Sequence, residues 1–239
     1  MPHLSEPSVL SPEMIVDWKR KRGVYNFSSI PPRAIISLSR HVYAEQLPLF
    51  PKRIRGIAGT HFIHGANVYC SGFGSGGPAL VTLLEELRAL GVREFIFIGL
   101  CAALAGHIIS GDAFYVEQAW SASGITATYV PERMIGPYDP QYTESLAEYL
   151  NLEGATCVST DSPFRETASF IQEARFMGCT LMEMECAAVY AFSHFYKLKS
   201  ACLLVVADQI DSVWNAPADM GLLARVQQRL LQGIVKRKL

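Results

Sequence analysis

Three short stretches hold residue types able to do chemistry in places where such residues need a reason. In Leu181-Met182-Glu183-Met184-Glu185-Cys186-Ala187-Ala188 two carboxylates enter an otherwise apolar strand-to-helix junction, where charges are rarely left without partners. A carboxylate in a dry pocket can accept hydrogen bonds from vicinal sugar hydroxyls, with a neighbouring methionine as a soft apolar wall. Equally, one of the two can sit exposed on the first helical turn, where negative charge suits the helix dipole. Leu203-Leu204-Val205-Val206-Ala207-Asp208-Gln209 is a buried-strand run ending in an acid. Asp208 is then either a general acid whose pKa burial raises or a helix cap. Gly72-Phe73-Gly74-Ser75-Gly76-Gly77-Pro78 lets backbone N–H groups approach an anion at a helix start, or else makes only a tight turn. It lacks the Gly-Lys-Ser/Thr ending of a P-loop, and no acid lies about 20 residues on at a strand end to hold a dinucleotide ribose.

The elements that must position these groups alternate between strand and helix. Ala34–Leu38 reads as a first strand, and Gly59–Ile63 with Ala66–Ser71 as a hairpin closed near His64-Gly65. A helix over Ala79–Leu90 carries apolar residues at Leu80, Leu83, Leu84, Leu87 and Leu90, with Pro78 in its first turn and Gly91 ending it. Glu94–Gly99 is a continuous apolar run of the kind buried on both faces of a parallel sheet. Further strands are expected at Ala113–Trp120, Thr126–Val130, Ala155–Ser159 and Ser200–Ala207. Helices are expected at Gln141–Leu150, Arg165–Met177, from Cys186 through Phe192, and Ala218–Val235. This pattern predicts an α/β fold with active residues at the carboxyl ends of strands, where Ser37–Arg40, Gly99–Cys101 and Asp208 lie.

The chain has 239 residues, 50% hydrophobic and 18% charged, enough for a large core, and its length suits one large domain. Its 21 basic and 22 acidic residues leave a net charge of −1, so no global field holds nucleic acid or an anionic membrane. The basic clusters Lys19–Arg22 and Lys236–Lys238 read as solvated surface. The longest uncharged apolar stretch, Phe95–Ser110, is broken by Gly99, Gly106 and His107 and falls short of the ~20 residues a spanning helix needs. No secretory signal is visible at the start, so a cytoplasmic, reducing compartment is expected. The six cysteines sit in apolar runs and read as free buried thiols. His61 and His64 flank a hairpin without a third ligand, so no metal is expected.

In this order the three motifs resemble the superfamily that contains purine nucleoside phosphorylases, uridine phosphorylases and methylthioadenosine nucleosidase. The glycine stretch is similar to that family's loop before its first long helix. Phe97-Ile98-Gly99-Leu100-Cys101-Ala102-Ala103-Leu104 is similar to its Arg-Val-Gly-Ser/Thr-Cys-Gly-Ala strand, with Gly111-Asp112 following. Met182-Glu183-Met184-Glu185 is similar to Val-Glu-Met-Glu, and Val158–Thr167 to the base-pocket loop of a less characterised branch. The resemblance implies a three-layer α/β/α sandwich around a mixed, partly barrel-like sheet, with residues 1–30 as an extension packed on it. It implies cleavage of an N-glycosidic bond with inorganic phosphate as co-substrate and no other cofactor. Glu185 would bind the ribose hydroxyls, with Met184 packed on the sugar and Glu183 and Cys101 beside it. Asp208 would protonate or hydrogen-bond purine N7, and Phe164 would stack on the base. Gly74, Arg40 and Arg55 would hold phosphate, Arg55 as the arginine a neighbouring subunit lends, in a homodimer or a hexamer built from dimers.

The departures fall on the anion site. The first strand ends Ser37-Leu38-Ser39-Arg40, Phe97 stands where the family places a phosphate arginine, and Leu100 where it places a Ser or Thr. Hydrolysis is therefore an alternative, although Ser39-Arg40-His41-Val42 lacks the glutamate with which the nucleosidases activate water. A third reading is a nucleoside-binding protein of little catalytic power. Arg165 and Glu166 either rebuild part of the pocket, or Glu166 caps the following helix.

Overall fold

The apolar runs become the middle of one large sheet, because a strand covered on both faces must be apolar at nearly every position. The computed structural model describes residues 4, 6–48, 51–211, 213–217 and 219–237. In chain order these form α1 (Pro12–Lys21), β1 (Arg33–Ile36), β2 (Lys52–Ile54), β3 (Thr60–His64), β4 (Asn67–Ser71), α2 (Gly77–Ala89), β5 (Glu94–Ala103) and β6 (Ala113–Ala122). There follow β7 (Met134–Ile135), α3 (Pro140–Leu150), β8 (Glu153–Thr160), α4 (Ala168–Phe176), β9 (Leu181–Glu183), α5 (Cys186–Tyr196), β10 (Lys199–Ile210), β11 (Trp214–Asn215) and α6 (Met220–Lys236).

The sheet runs β11-β10-β6-β8-β9-β5-β1-β4-β3-β2, and β10 also pairs with β5. That extra pairing closes β10, β6, β8, β9 and β5 into a barrel-like ring from which β1, β4, β3 and β2 extend as an arm. β5 is the hinge of both parts. Its alternate residues Phe95, Phe97 and Cys101 pack into one core, while Ile96 and Ile98 pack into the other. α1, α2 and α5 cover the first face and α3 and α6 the second, which makes three layers. Among the described residues no helix is long and apolar enough to cross a membrane.

Three expectations change. Thr126–Thr128 is a 3₁₀ turn and not a strand. Its β-branched residues spend their hydroxyls locally: Thr126 Oγ1 meets Ser121 Oγ and Ser123 O, and Thr128 Oγ1 donates to Ile125 O, an alternative to the sheet ladder open to Ser and Thr. The helix expected from Arg165 starts at Ala168, after a 3₁₀ turn at Pro163–Arg165, because Thr167 is its N-cap. Lys19, read as solvated, belongs to α1 and bonds Glu86 at 2.6 Å and Gly56 O at 2.8 Å. Ala218, Lys238 and the first three residues lie outside the described residues.

Candidate active site

Glu183 and Glu185 end up on opposite duties because the chain turns sharply from β9 into α5 between them. Glu183 is buried. Ser159 Oγ donates to one of its oxygens, and the amides of Glu185 (2.6 Å) and Cys186 (2.8 Å) donate to the other. Ser159 Oγ in turn accepts from Ala187 N at 2.9 Å. Together the two side chains satisfy the first amides of α5, whose N-cap residue, Glu185, makes no side-chain cap bond. Burial raises the Glu183 carboxyl pKa above the ordinary carboxylate range. Glu183 is thus turned into the protein and holds the junction in place.

Glu185 points the other way, towards the glycine loop. Its Oε1 accepts from Gly76 N at 2.5 Å, and Gly76, with φ +87°, is the N-cap of α2. The next residue must also be glycine: a Cβ on Gly77 would sit 2.8 Å from Ile125 Cγ2 and 3.0 Å from Ala188 Cβ, so only glycine lets the starts of α2 and α5 approach. The Glu185 carboxylate therefore lies at the N-terminus of α2, whose dipole favours it. Burial nevertheless raises the Glu185 pKa to about 7, with the Glu183 carboxyl adding to it. The partly exposed Met184 lies alongside, its Cε 3.7 Å from the place a Gly76 Cβ would occupy.

Asp208 approaches from the other side of β5. Ala102 pairs with Asp208 of β10 and with Met182 of β9, so the acid and the start of the Glu183–Glu185 junction stand two strand spacings, about 10 Å, apart. β10 runs on to Ile210, and its bulge between Val206 and Asp208 shifts the register there. The helix-cap reading of Asp208 falls, since Asp219 caps α6 through Gly221 N and Leu222 N. Asp208 instead lines a cleft of about 530 Å³ with Phe164, Glu166, Ile171, Ile210 and Trp214. Trp214 Nε1 donates to Asp208 Oδ2 at 2.5 Å. Glu166 is half-buried in the same cleft; burial raises its pKa to about 7, with Asp208 adding to the effect. It does not cap α4. Phe164 stands at the mouth, 99% exposed.

Cys101 is buried behind these groups. Burial pushes its thiol well above the ordinary range, and Cys157, Glu183 and Asp208 reinforce that. All six cysteines are free and buried. Cys157, Glu183 and Cys186 are the described side chains close enough together to hold a metal ion, yet burial raises both thiols and Glu183 is already bonded to protein.

The expected phosphate residues are more dispersed. Arg40 is exposed on a 3₁₀ turn just after β1. Arg55 is exposed just after β2, level with Ser37 and Ser71 but at the outer edge of the arm. Gly74 is exposed in the loop, and Phe97 is a core residue whose ring lies against Gly99. Sequence reasoning missed Trp214, Ser159 and the Glu185–Gly76 bond. Only Trp214 left a signal, an indole donor six positions beyond Asp208 in a mixed polar and apolar stretch.

A family model described as Phosphorylase superfamily matches residues 32–236, and the chain belongs to that superfamily. It is similar to an uncharacterized protein, R802, of Acanthamoeba polyphaga mimivirus, 28% identical over 156 residues, 64% of this chain and 58% of that protein. The uridine phosphorylase of Thermococcus kodakarensis is 26% identical over 160 residues, 59% of this chain and 58% of that protein. The DeoD-type purine nucleoside phosphorylase of Brevibacillus brevis is 25% identical over 174 residues, 70% of this chain and 74% of that protein. The chain thus spans about 58% of the length of the first two.

Proposed function

We propose that this protein cleaves the N-glycosidic bond of a purine nucleoside with inorganic phosphate, releasing free base and ribose 1-phosphate. The observation that supports it best is the pairing of a sugar-type carboxylate, Glu185, with an acid-lined cleft at Asp208 across one strand of the same sheet end. Positive charge develops on the sugar and negative charge on the leaving base in an oxocarbenium-like transition state. A carboxylate on the ribose hydroxyls and a proton donor at the base address those two places. Met184 forms the apolar wall beside the sugar, and Phe164 is free to fold over the base. Phosphate would enter at the glycine loop, with Gly74 and Arg40 on one copy and Arg55 supplied by a second, which makes the working form at least a dimer. Both arginines are exposed near the end of the arm where β1 stops, which supports that use.

Water as the nucleophile is the second reading. It is favoured by one observation: the Gly76 amide, an expected anion donor, is already bonded to Glu185, while Phe97 is buried in core. Chromatographic detection of free base from a nucleoside panel, with and without phosphate, separates the two. Release only with phosphate is expected; phosphate-independent release would establish a nucleosidase, and no release would leave a binding protein.

Glu185→Gln is expected to weaken nucleoside binding by about tenfold at pH 8, the scale of one charge-assisted hydrogen bond. With a pKa of about 7, only about a tenth of Glu185 is ionised at pH 6, so the wild-type advantage over the variant should shrink severalfold there. Calorimetric titration of both proteins at the two pH values checks this, and an advantage independent of pH would remove Glu185 from the ribose site. For stability the sign is opposite. The folded pKa of about 7 lies above the ordinary 4.5, so folding holds that proton and Glu185 costs stability as pH rises through this window.

A further inference from the structure

Among the described residues three carboxyl groups, Glu166, Asp208 and Asp211, line the cleft. Asp208 and Glu166 both line it, and of the two only Asp208 is engaged, its Oδ2 taken by the Trp214 indole N–H. Glu166 has the alternative of capping α4 removed by Thr167, which does that work through Phe170 N at 3.3 Å. Its half-burial on the cleft wall therefore has no local structural explanation. Asp211 also lines the cleft but is bound to Arg175 at 2.9 Å. Glu166 is half-buried, and a second carboxyl lining the same cleft adds to the cost of ionising it, so Glu166 is the group that can carry a proton there near neutral pH. The rise of the Glu166 pKa to about 7, by burial first and Asp208 second, agrees with this.

A carboxyl pair with one proton presents one hydrogen-bond donor and one acceptor. The edge of a purine that carries N7 differs between bases in this respect. Adenine offers N7 as acceptor and the 6-amino group as donor, whereas 6-oxopurines offer two acceptors. We propose that Glu166 and Asp208 form a one-proton clamp that recognises the N7 and 6-amino edge and so selects 6-aminopurine nucleosides over 6-oxopurine ones. Glu166 is then a base-specificity residue, and Trp214 positions Asp208 by holding one of its oxygens. In the cleavage step the pair's proton passes to N7 as the bond between C1′ and N9 breaks, N9 takes its electron pair, and a phosphate oxygen bonds to C1′. The pair is left as two carboxylates, which regain a proton from water. The clamp rests on the proposed purine reading of the site, but its test needs no turnover.

The test is calorimetric titration of wild type with adenine and with hypoxanthine at pH 7, repeated with Glu166→Leu, which keeps bulk but neither donates nor accepts. Wild type is expected to bind adenine at least tenfold more tightly than hypoxanthine, and Glu166→Leu to bring the two within about threefold. Glu166→Gln, whose amide can turn either way, should also narrow the ratio and provides a polar variant should leucine disturb the fold. Equal or tighter hypoxanthine binding by wild type, or a ratio unchanged in both variants, overturns the clamp. Adenine selectivity without release of base from adenosine would uphold the clamp while sinking the cleavage reaction. Preferred cleavage of inosine would do the reverse.

Discussion

Asp208→Ala is expected to lower kcat for base release by 10²–10⁴-fold, the usual span for loss of a positioned acid–base group. The physical case is that Asp208 lines the cleft next to Glu166 and makes no helix cap. Its removal takes away the proposed base contact and a charge that adds to burial in raising the Glu166 pKa. It also orphans the Trp214 N–H, which at 64% exposure can turn to water, so the fold should lose little. The measurement is steady-state release of free base with the melting temperature as control. A large fall in kcat at nearly unchanged melting places Asp208 at the reacting base, and undiminished turnover removes it from the mechanism.

The second large effect is on stability. Glu183→Ala removes the partner of two buried amides and of the Ser159 hydroxyl. Each buried polar group left unpaired costs about 1–3 kcal/mol, so a loss on the order of 4 kcal/mol is expected. For a chain of this size that is roughly 8–16 °C in melting temperature. Glu183→Gln should recover most of it, because burial already disfavours the charged form of Glu183 and an amide offers one acceptor and one donor in nearly the same shape. Thermal unfolding of the three proteins decides the matter. If Ala and Gln behave alike, or Ala melts within about 2 °C of wild type, the network does not hold α5. Since Glu185 begins α5, the Ala variant should also bind nucleoside less well even where it remains folded.

Much of this was legible because local rules act over a few residues. The apolar run Glu94–Gly99 became the central strand β5, and the hairpin closed at His64-Gly65 formed, with His64 opposite Asn67. Pro78 and Gly91 bracket α2 as their backbone preferences require. The segment Thr126–Val130 misled because β-branched residues favour strands only when a neighbouring strand is there to receive them. Here Ser121 and Ser123 offered closer partners. α1 escaped notice because Lys19 and Glu13 look solvated until Glu86 and Arg88 of α2, far along the chain, arrive to pair with them.

By itself the sequence determined that Glu183, Glu185 and Asp208 stand at the carboxyl ends of buried strands, since apolar runs and turn residues set where strands stop. It also determined the family, through the order of motifs along the chain. The division of labour was decided only by tertiary structure. One register shift in β10 brought Asp208 to Trp214 and Glu166, and the close approach of α2 and α5 at Gly77 gave Glu185 to the glycine loop while Ser159 took Glu183. Residues 24, 42 and 109 positions apart meet in these contacts, and such meetings depend on how strands pair and helices pack, which short-range patterns do not encode.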